Sequence, residues 1–150
     1  MPSIYFEDFP PGRVFELGSV TVTREAIIEF ATRFDPQPFH TDERAAAESA
    51  FGGLIASGWH TGSVLMKLLS STLGEASLGS PGGDDLRWLA PVRPGDELRL
   101  RVTVESARPS SSKPDRGVLV YRNELFNQHD EVVMTFTSTM FMRRRPGGQR

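Results

Sequence analysis

The most apolar helix candidate of the chain runs from Ser57 to Gly74 and reads SGWHTGSVLMKLLSSTLG. Its apolar residues recur at intervals of three and four, which is the spacing of one buried face of an α-helix. They are Val64, Leu65, Leu68 and Leu69. Gly74 follows the last apolar turn, at a place where a helix commonly ends. The stretch therefore predicts a central helix in the core.

Beyond this helix the sequence changes to a two-residue period. In ELRLRVTVES, residues 97–106, apolar and polar residues alternate, as in an antiparallel strand with one buried face. Four further stretches predict strands because they are rich in β-branched and aromatic residues or lie between turn residues. They are GRVFELGSVTVT (12–23), DDLRWLAPVRPGDE (84–97, interrupted by two prolines), GVLVYRNELFNQ (117–128) and EVVMTFTSTMFMRR (131–144). We expect an α+β fold in which the central helix lies on one face of a curled antiparallel sheet.

Two shorter helices are predicted between the first strand and the central helix. REAIIEFATRF, residues 24–34, has the apolar spacing of a half-buried helix, with Thr23 as its N-cap. This helix must end where Pro36 arrives, because proline lacks the backbone donor and clashes with the preceding turn. TDERAAAES, residues 41–49, is rich in alanine and predicts a second helix capped by Thr41.

Length and composition are those of a single domain over residues 1–150. The formal net charge of −2 and the 24% of charged residues suggest neither a disordered chain nor a nucleic-acid-binding protein. Cysteine is absent, which excludes disulfides and thiolate chemistry. The three arginines at 143–145 begin a basic stretch, residues 143–150, that we expect to be a flexible, solvated tail.

The N-terminal residues MPSIYFEDFPPG lack the basic and apolar regions of a signal peptide. No apolar run approaches the roughly 20 residues that a membrane-spanning helix needs. We therefore expect a cytoplasmic protein with no membrane partner.

The loop FDPQPFH, residues 34–40, concentrates reactive and rigid residues. Pro36 and Pro38 each fix φ near about −65° and remove a backbone donor, so we expect no regular helix through this loop. The residues that precede the prolines are pushed toward extended conformations. Asp35 and His40 are thus held along a stiff loop, which is either a tight helix exit or a small reactive site.

Three segments carry a resemblance to a known family. Residues 35–40 read DPQPFH, residues 52–65 read GGLIASGWHTGSVL, and residues 86–104 read LRWLAPVRPGDELRLRVTV. In this order they resemble the signature Asp-x-Asn-Pro-(aliphatic)-His, the entry into the central helix, and the Phe-x-x-Pro-Val-x-x-Gly-Asp strand pair of the MaoC-like dehydratase and (R)-specific enoyl-CoA hydratase family. The signature differs at Gln37 and Phe39, and Phe34 stands where the family often has glycine. The resemblance implies a single hotdog domain, in which a curled antiparallel sheet wraps around a central helix.

The same resemblance implies a hydro-lyase that reversibly hydrates a trans-2-enoyl thioester to the (R)-3-hydroxyacyl thioester. Asp35 and His40 would activate a water molecule, with Asp35 as the principal base and His40 as its partner and proton donor. Gly58 would let the thioester oxygen approach the free N–H groups at the start of the central helix. Further candidates for substrate binding are Gln37, Trp59 and Ser63.

No cofactor is implied, since coenzyme A or an acyl carrier enters as part of the substrate. The resemblance further implies a homodimer, or a higher homo-oligomer, whose sheets join edge to edge near the site. Lys113, Arg116 or the C-terminal arginines are candidates for binding the phosphates of coenzyme A. Arg99 and Arg101 are expected on the solvated face of a strand.

Several alternatives stay open at this point. His60 competes with His40 for the role of catalytic imidazole, and His129 lies in the predicted turn NQHDE. Three histidines without ligand spacing do not predict a metal site. Trp88 is expected to pack in the core. The same fold would also suit an acyl-CoA thioesterase or a non-catalytic subunit that binds acyl thioesters.

Overall fold

A computed structural model of the protein describes residues 4–148. The strands in this part of the chain are β1 (Val14–Thr21), β2 (Gly82–Trp88), β3 (Glu97–Pro109), β4 (Arg116–Phe126) and β5 (Val132–Arg143). They form one antiparallel sheet in the order β1-β3-β4-β5-β2. The helices follow β1 in the sequence and are α1 (Arg24–Phe34), α2 (Pro38–Thr41), α3 (Glu43–Glu48) and α4 (Gly58–Leu73). This arrangement confirms the predicted α+β fold.

Helix α4 forms the centre of the core because one of its faces is apolar along the whole helix. Leu65 and Leu69 are each only 1% exposed, and they share one apolar cluster with the inward residues of the sheet. The cluster includes Leu98, Leu100 and Val102 of β3. Gly74 ends the helix, as predicted. The sheet wraps around this helix, and irregular register in β1, β2 and β3 accompanies its curvature.

The outer face of β3 carries the alternating arginines. Arg101 donates a hydrogen bond to Glu16 at 2.7 Å across the β1–β3 pair, and Arg99 pairs with Asp130. Each guanidinium also lies over the ring of Phe126. The two arginines therefore lie on the partly solvated face of the sheet, as the alternation indicates.

The helices before α4 differ from the prediction in two details. Thr23 caps α1 as predicted, since its hydroxyl accepts a hydrogen bond from the Ala26 N–H at 3.1 Å. The loop after α1, however, contains the single helical turn α2, because Pro38 occupies the first helical position, where no backbone donor is needed. Thr41 then belongs to α2 and does not cap α3. Asp42 is that cap, accepting hydrogen bonds from the N–H groups of Arg44 and Ala45.

The first residues of the basic C-terminal stretch lie against the domain. This differs from the predicted solvated tail. Arg143 is the last residue of β5. Arg144 donates to Glu7 at 3.3 Å, and Arg145 donates to both carboxylate oxygens of Asp8. Glu7 and Asp8 belong to a 3-10 turn, Phe6–Asp8, and they hold the arginines by charge. Residues 149–150 lie outside the described residues.

The two edges of the sheet are formed by different strands. Strand β1 forms one edge, and β2 forms the other and is mostly exposed. Several large apolar side chains near β2 are also exposed, and they are Trp59, Met66, Trp88 and Leu89. Within residues 4–148, no helix is both long and apolar enough to cross a membrane.

We expect Leu65→Ala to lower the free energy of unfolding by about 2–5 kcal/mol, because it removes a buried side chain and leaves a cavity under α4. Lys67→Ala is the matched control on the exposed face of the same helix and should change it by less than about 0.5 kcal/mol. Urea unfolding followed by circular dichroism measures both. Equal effects of the two substitutions would contradict the assignment of α4 to the core.

Candidate active site

The loop between α1 and α2 brings Asp35 and His40 together. Asp35 is the C-cap of α1, and its N–H still bonds to the carbonyl of Ala31. The chain then turns tightly, since the Gln37 N–H donates to the Asp35 carbonyl at 2.7 Å and the His40 N–H donates to the Gln37 carbonyl at 2.9 Å. As a result the Asp35 Oδ2 and His40 Nε2 atoms lie 3.4 Å apart.

The imidazole of His40 is held in one orientation. It is only 4% exposed, and its Nδ1 lies 2.7 Å from the carbonyl oxygen of Ile55. Because a carbonyl oxygen only accepts, Nδ1 carries a hydrogen in this contact. The nitrogen that can gain or lose a proton is therefore Nε2, which faces Asp35.

Both carboxylate oxygens of Asp35 receive hydrogen bonds. Gln37 Nε2 donates to Oδ1 at 2.7 Å, and Ser57 Oγ donates to Oδ2 at 2.7 Å. Partial burial alone would raise the pKa of Asp35. The hydrogen bonds from Ser57 and Gln37, together with nearby His40, outweigh burial and hold that pKa below its usual range. Asp35 is therefore ionised at neutral pH.

Ser57 is a site residue that the sequence analysis missed. It is fully buried and caps the N-terminus of α4, where its hydroxyl also accepts from the Trp59 N–H at 3.3 Å. The available signal was its position directly before Gly58 at a helix start, where serine is a preferred N-cap. That signal predicts a cap, but it does not predict a contact with a carboxylate 22 residues earlier in the chain.

Gly58 begins α4, and its missing side chain makes room for a tryptophan. A Cβ atom at Gly58 would lie 2.7 Å from Cζ2 of Trp88, so the indole packs directly on the glycine. The Trp88 indole N–H donates to the Gly58 carbonyl at 2.9 Å. Trp88 is 44% exposed, so its predicted core position is wrong. Among the described residues, the Gly58 N–H has no hydrogen-bond partner, which leaves a donor at the positive end of α4.

A cavity of about 480 Å³ opens beside these residues. Asp35, Gln37 and His40 form its polar wall, and Gly58 also lines it. Its aromatic wall consists of Phe39, Phe51, Trp59 and Trp88. Five of the six predicted site residues therefore surround one cavity, and they combine a carboxylate, an imidazole and a free backbone donor with apolar surface.

Ser63 is the predicted site residue that lies elsewhere. It is exposed, and its hydroxyl donates to the Trp59 carbonyl one turn back at 2.8 Å. It lines a second, apolar cavity of about 270 Å³ between α4 and strands β2 and β5. Trp59 borders both cavities and stands edge to face against Trp88, with ring centroids 5.3 Å apart.

His60, the rival imidazole, faces away from this cavity. Its ring stacks on Phe30 at a centroid distance of 4.9 Å, and burial lowers its pKa. The basic candidates for coenzyme A phosphates are also remote. Arg116 pairs with Arg143 at one end of the β4–β5 ladder, whereas Trp88 pairs with Met134 near the other end, roughly 30 Å along the strand.

The chain is similar in sequence and in structure to several known proteins. A family model described as "MaoC like domain" matches residues 8–121. The MaoC-like dehydratase from Rhodospirillum rubrum has a crystal structure that matches with a TM-score of 0.89 and 42% identity, over 96% of this chain and 99% of that one. The (R)-hydratase from A. caviae involved in PHA biosynthesis matches with a TM-score of 0.70 and 25% identity, over 89% and 97%. The uncharacterized protein YdeM from Bacillus subtilis is 30% identical over 92% of this chain and 98% of its own length.

We expect Gly58→Ala to destabilise the protein by about 1–3 kcal/mol, because the new methyl group overlaps the Trp88 indole and displaces it from the Gly58 carbonyl. Gly62→Ala is the matched control on the same helix. Its Cβ would meet Met134 at an ordinary 3.7 Å, so helix propensity should stabilise it by about 0.5–1 kcal/mol. Urea unfolding and tryptophan fluorescence measure both effects, and similar behaviour of the two variants would contradict the packing of Trp88 on Gly58.

Proposed function

Because the chain belongs to the MaoC-like dehydratase family, we propose that it reversibly hydrates a trans-2-enoyl-CoA, or a related acyl thioester, to the (R)-3-hydroxyacyl thioester. Its hotdog fold and its similarity to an (R)-hydratase support a hydro-lyase at the level of the reaction class. The observation that carries the proposal is the 3.4 Å approach of Asp35 Oδ2 to His40 Nε2 at the wall of the cavity.

Two atoms at this distance can share one water molecule. An oxygen about 2.8 Å from each atom completes a narrow triangle with both hydrogen-bond partners. The water would attack C3 of the enoyl group, forming the C–O bond while one of its O–H bonds breaks. Asp35, which is ionised at neutral pH, is the base that takes this proton, and His40 Nε2 donates a proton to C2. Since Nδ1 already carries a hydrogen, this donation requires His40 to begin as the imidazolium. After the addition, the proton passes from Asp35 to His40 Nε2 across the 3.4 Å gap, which restores both groups.

Negative charge builds up on the thioester oxygen during this addition. The Gly58 N–H supports the proposal because no group within residues 4–148 accepts its hydrogen and it lies at the start of a 16-residue helix, where the helix dipole also favours an anion. Gln37 contributes indirectly by holding Asp35 Oδ1. The proposed reaction needs no cofactor besides the coenzyme A or acyl carrier that is already part of the substrate. We also propose that the protein acts in the cytoplasm.

The proposal includes a homodimer formed along the β2 edges. An unpaired strand edge next to exposed tryptophans is an unfavourable surface for a single chain, and a second copy would cover it. This edge ends at Trp88, which lines the cavity, so the dimer interface would border the site.

Wild-type protein should remove the ultraviolet absorbance of crotonyl-CoA and yield (3R)-hydroxybutyryl-CoA. Asp35→Asn and His40→Ala should each lower kcat at least about 100-fold, since each removes one proton-transfer group. The matched controls Asp115→Asn and His129→Ala change exposed residues of the same types and should retain activity. Full activity of either site variant would overturn the assignment. Release of free thiol would point instead to a thioesterase, and tight acyl-CoA binding without turnover to a binding subunit.

The aromatic wall predicts a preference for short acyl groups. Trp59 borders both the main cavity and the apolar second cavity, so an acyl chain long enough to pass from one to the other meets the indole. We expect wild type to hydrate crotonyl-CoA much faster than dodecenoyl-CoA, and Trp59→Ala to raise the ratio of long-chain to short-chain kcat/KM about tenfold or more. Leu89→Ala, which widens the main cavity alone, should leave that ratio low. Equal wild-type rates on the two substrates would contradict the role of Trp59.

A further inference from the structure

Ser57 connects the loop that carries Asp35 with the start of helix α4. We propose that Ser57 is a positioning residue whose hydroxyl fixes Asp35 Oδ2 beside His40 Nε2 and ties the loop after α1 to the first turn of α4. The inference rests on the proposed function for its catalytic meaning and on the 2.7 Å Ser57–Asp35 hydrogen bond for its geometry.

The burial of Ser57 makes this hydrogen bond a strong constraint. Its side chain is fully buried, so no solvent competes for the single hydroxyl hydrogen, which goes to Asp35. Gln37, the other uncharged donor to Asp35, is exposed and lies on the same loop only two residues away. Gln37 therefore moves with the loop, whereas Ser57 is anchored by the buried helix α4.

The position of Ser57 also fixes distances across the site. The next residue is Gly58, whose N–H has no partner in the described part of the chain and is the donor expected to face the thioester oxygen. A bond from Ser57 to Asp35 thus keeps the base at a constant separation from that donor. The reacting atoms C3 and the carbonyl oxygen belong to one rigid conjugated group, so this separation decides whether the base and the donor act on one substrate at once.

The Ser57 hydroxyl also bears on the charge of Asp35. It donates to the ionised form, so its removal should raise the pKa of Asp35 above the wild-type value. Among the described residues, the titratable group that acts on Asp35 is His40 of α2, and the donors Gln37 and Ser57 carry no charge. The base must be ionised, so activity is lost as the pH falls through the pKa of Asp35, and a raised pKa moves this loss to higher pH.

The test must separate this contact from the capping of α4. Ser57→Gly does so, because glycine is a nearly equivalent N-cap that has no hydroxyl. Ser57→Ala removes both functions. Thr23→Ala is the matched control, since it removes the N-cap of α1 without touching a carboxylate. Carbon-detected NMR titration of the Asp35 carboxyl, identified by its absence in Asp35→Asn, is recorded beside the pH profile of kcat/KM for crotonyl-CoA.

We expect Ser57→Gly and Ser57→Ala to titrate Asp35 at higher pH than wild type, to move the acidic limb of the profile in the same direction, and to lose about tenfold or more in kcat/KM. Thr23→Ala should match wild type in the Asp35 titration, in the acidic limb of the pH profile and in kcat/KM. An unchanged Asp35 titration in Ser57→Gly, or an unchanged kcat/KM, overturns the proposal. If wild type does not hydrate crotonyl-CoA but the titration still shifts, the proposed function fails while the hold of Ser57 on Asp35 stands.

Discussion

The burial of one face of α4 against the sheet holds the helix in place, and the geometry of the site follows from the position of this helix. Burying a leucine side chain stabilises a fold by roughly 1.5–3 kcal/mol, and α4 buries Leu65, Leu68 and Leu69 on one face. The helix cannot slide or tilt without exposing several of these at once. Its N-terminus is therefore a fixed point, and Ser57 and Gly58 are fixed with it. The short loop that carries Asp35 is bonded to that point through the Ser57 hydroxyl.

The features with regular periodicity were predictable from the sequence. The spacing of three and four in α4, the alternation in β3 and the cap at Thr23 each report a local preference that agrees with the final packing. The closeness of Asp35 and His40 was also predictable, because two prolines within six residues leave the backbone few ways to turn. Pro38 starts a helical turn that was not predicted from the sequence, although proline is well suited to that first position.

The unpredicted features depend on contacts between distant segments. Ser57 meets Asp35 across 22 residues, and Trp88 packs on Gly58 across 30, so no local pattern records either contact. Ser63 was misplaced for a different reason. An α-helix turns about 100° per residue, so five residues after Gly58 a side chain points about 140° away around the axis. His60 is displaced by about 200° on the same basis, which is why it reaches Phe30 and not the cavity.

The exposed tryptophans connect the chemistry of the site with the assembly that we propose. A free backbone donor and a carboxylate–imidazole pair act most strongly where water is excluded, since the effective dielectric constant falls with burial. In a single chain, the cavity is bordered by Trp59 and Trp88, which are 62% and 44% exposed, so its outer wall is open to solvent. A second copy paired along β2 would cover Trp88 at the end of that strand and enclose the cavity. The same association that removes an unpaired sheet edge would then strengthen the interactions of Asp35, His40 and the Gly58 N–H with the substrate.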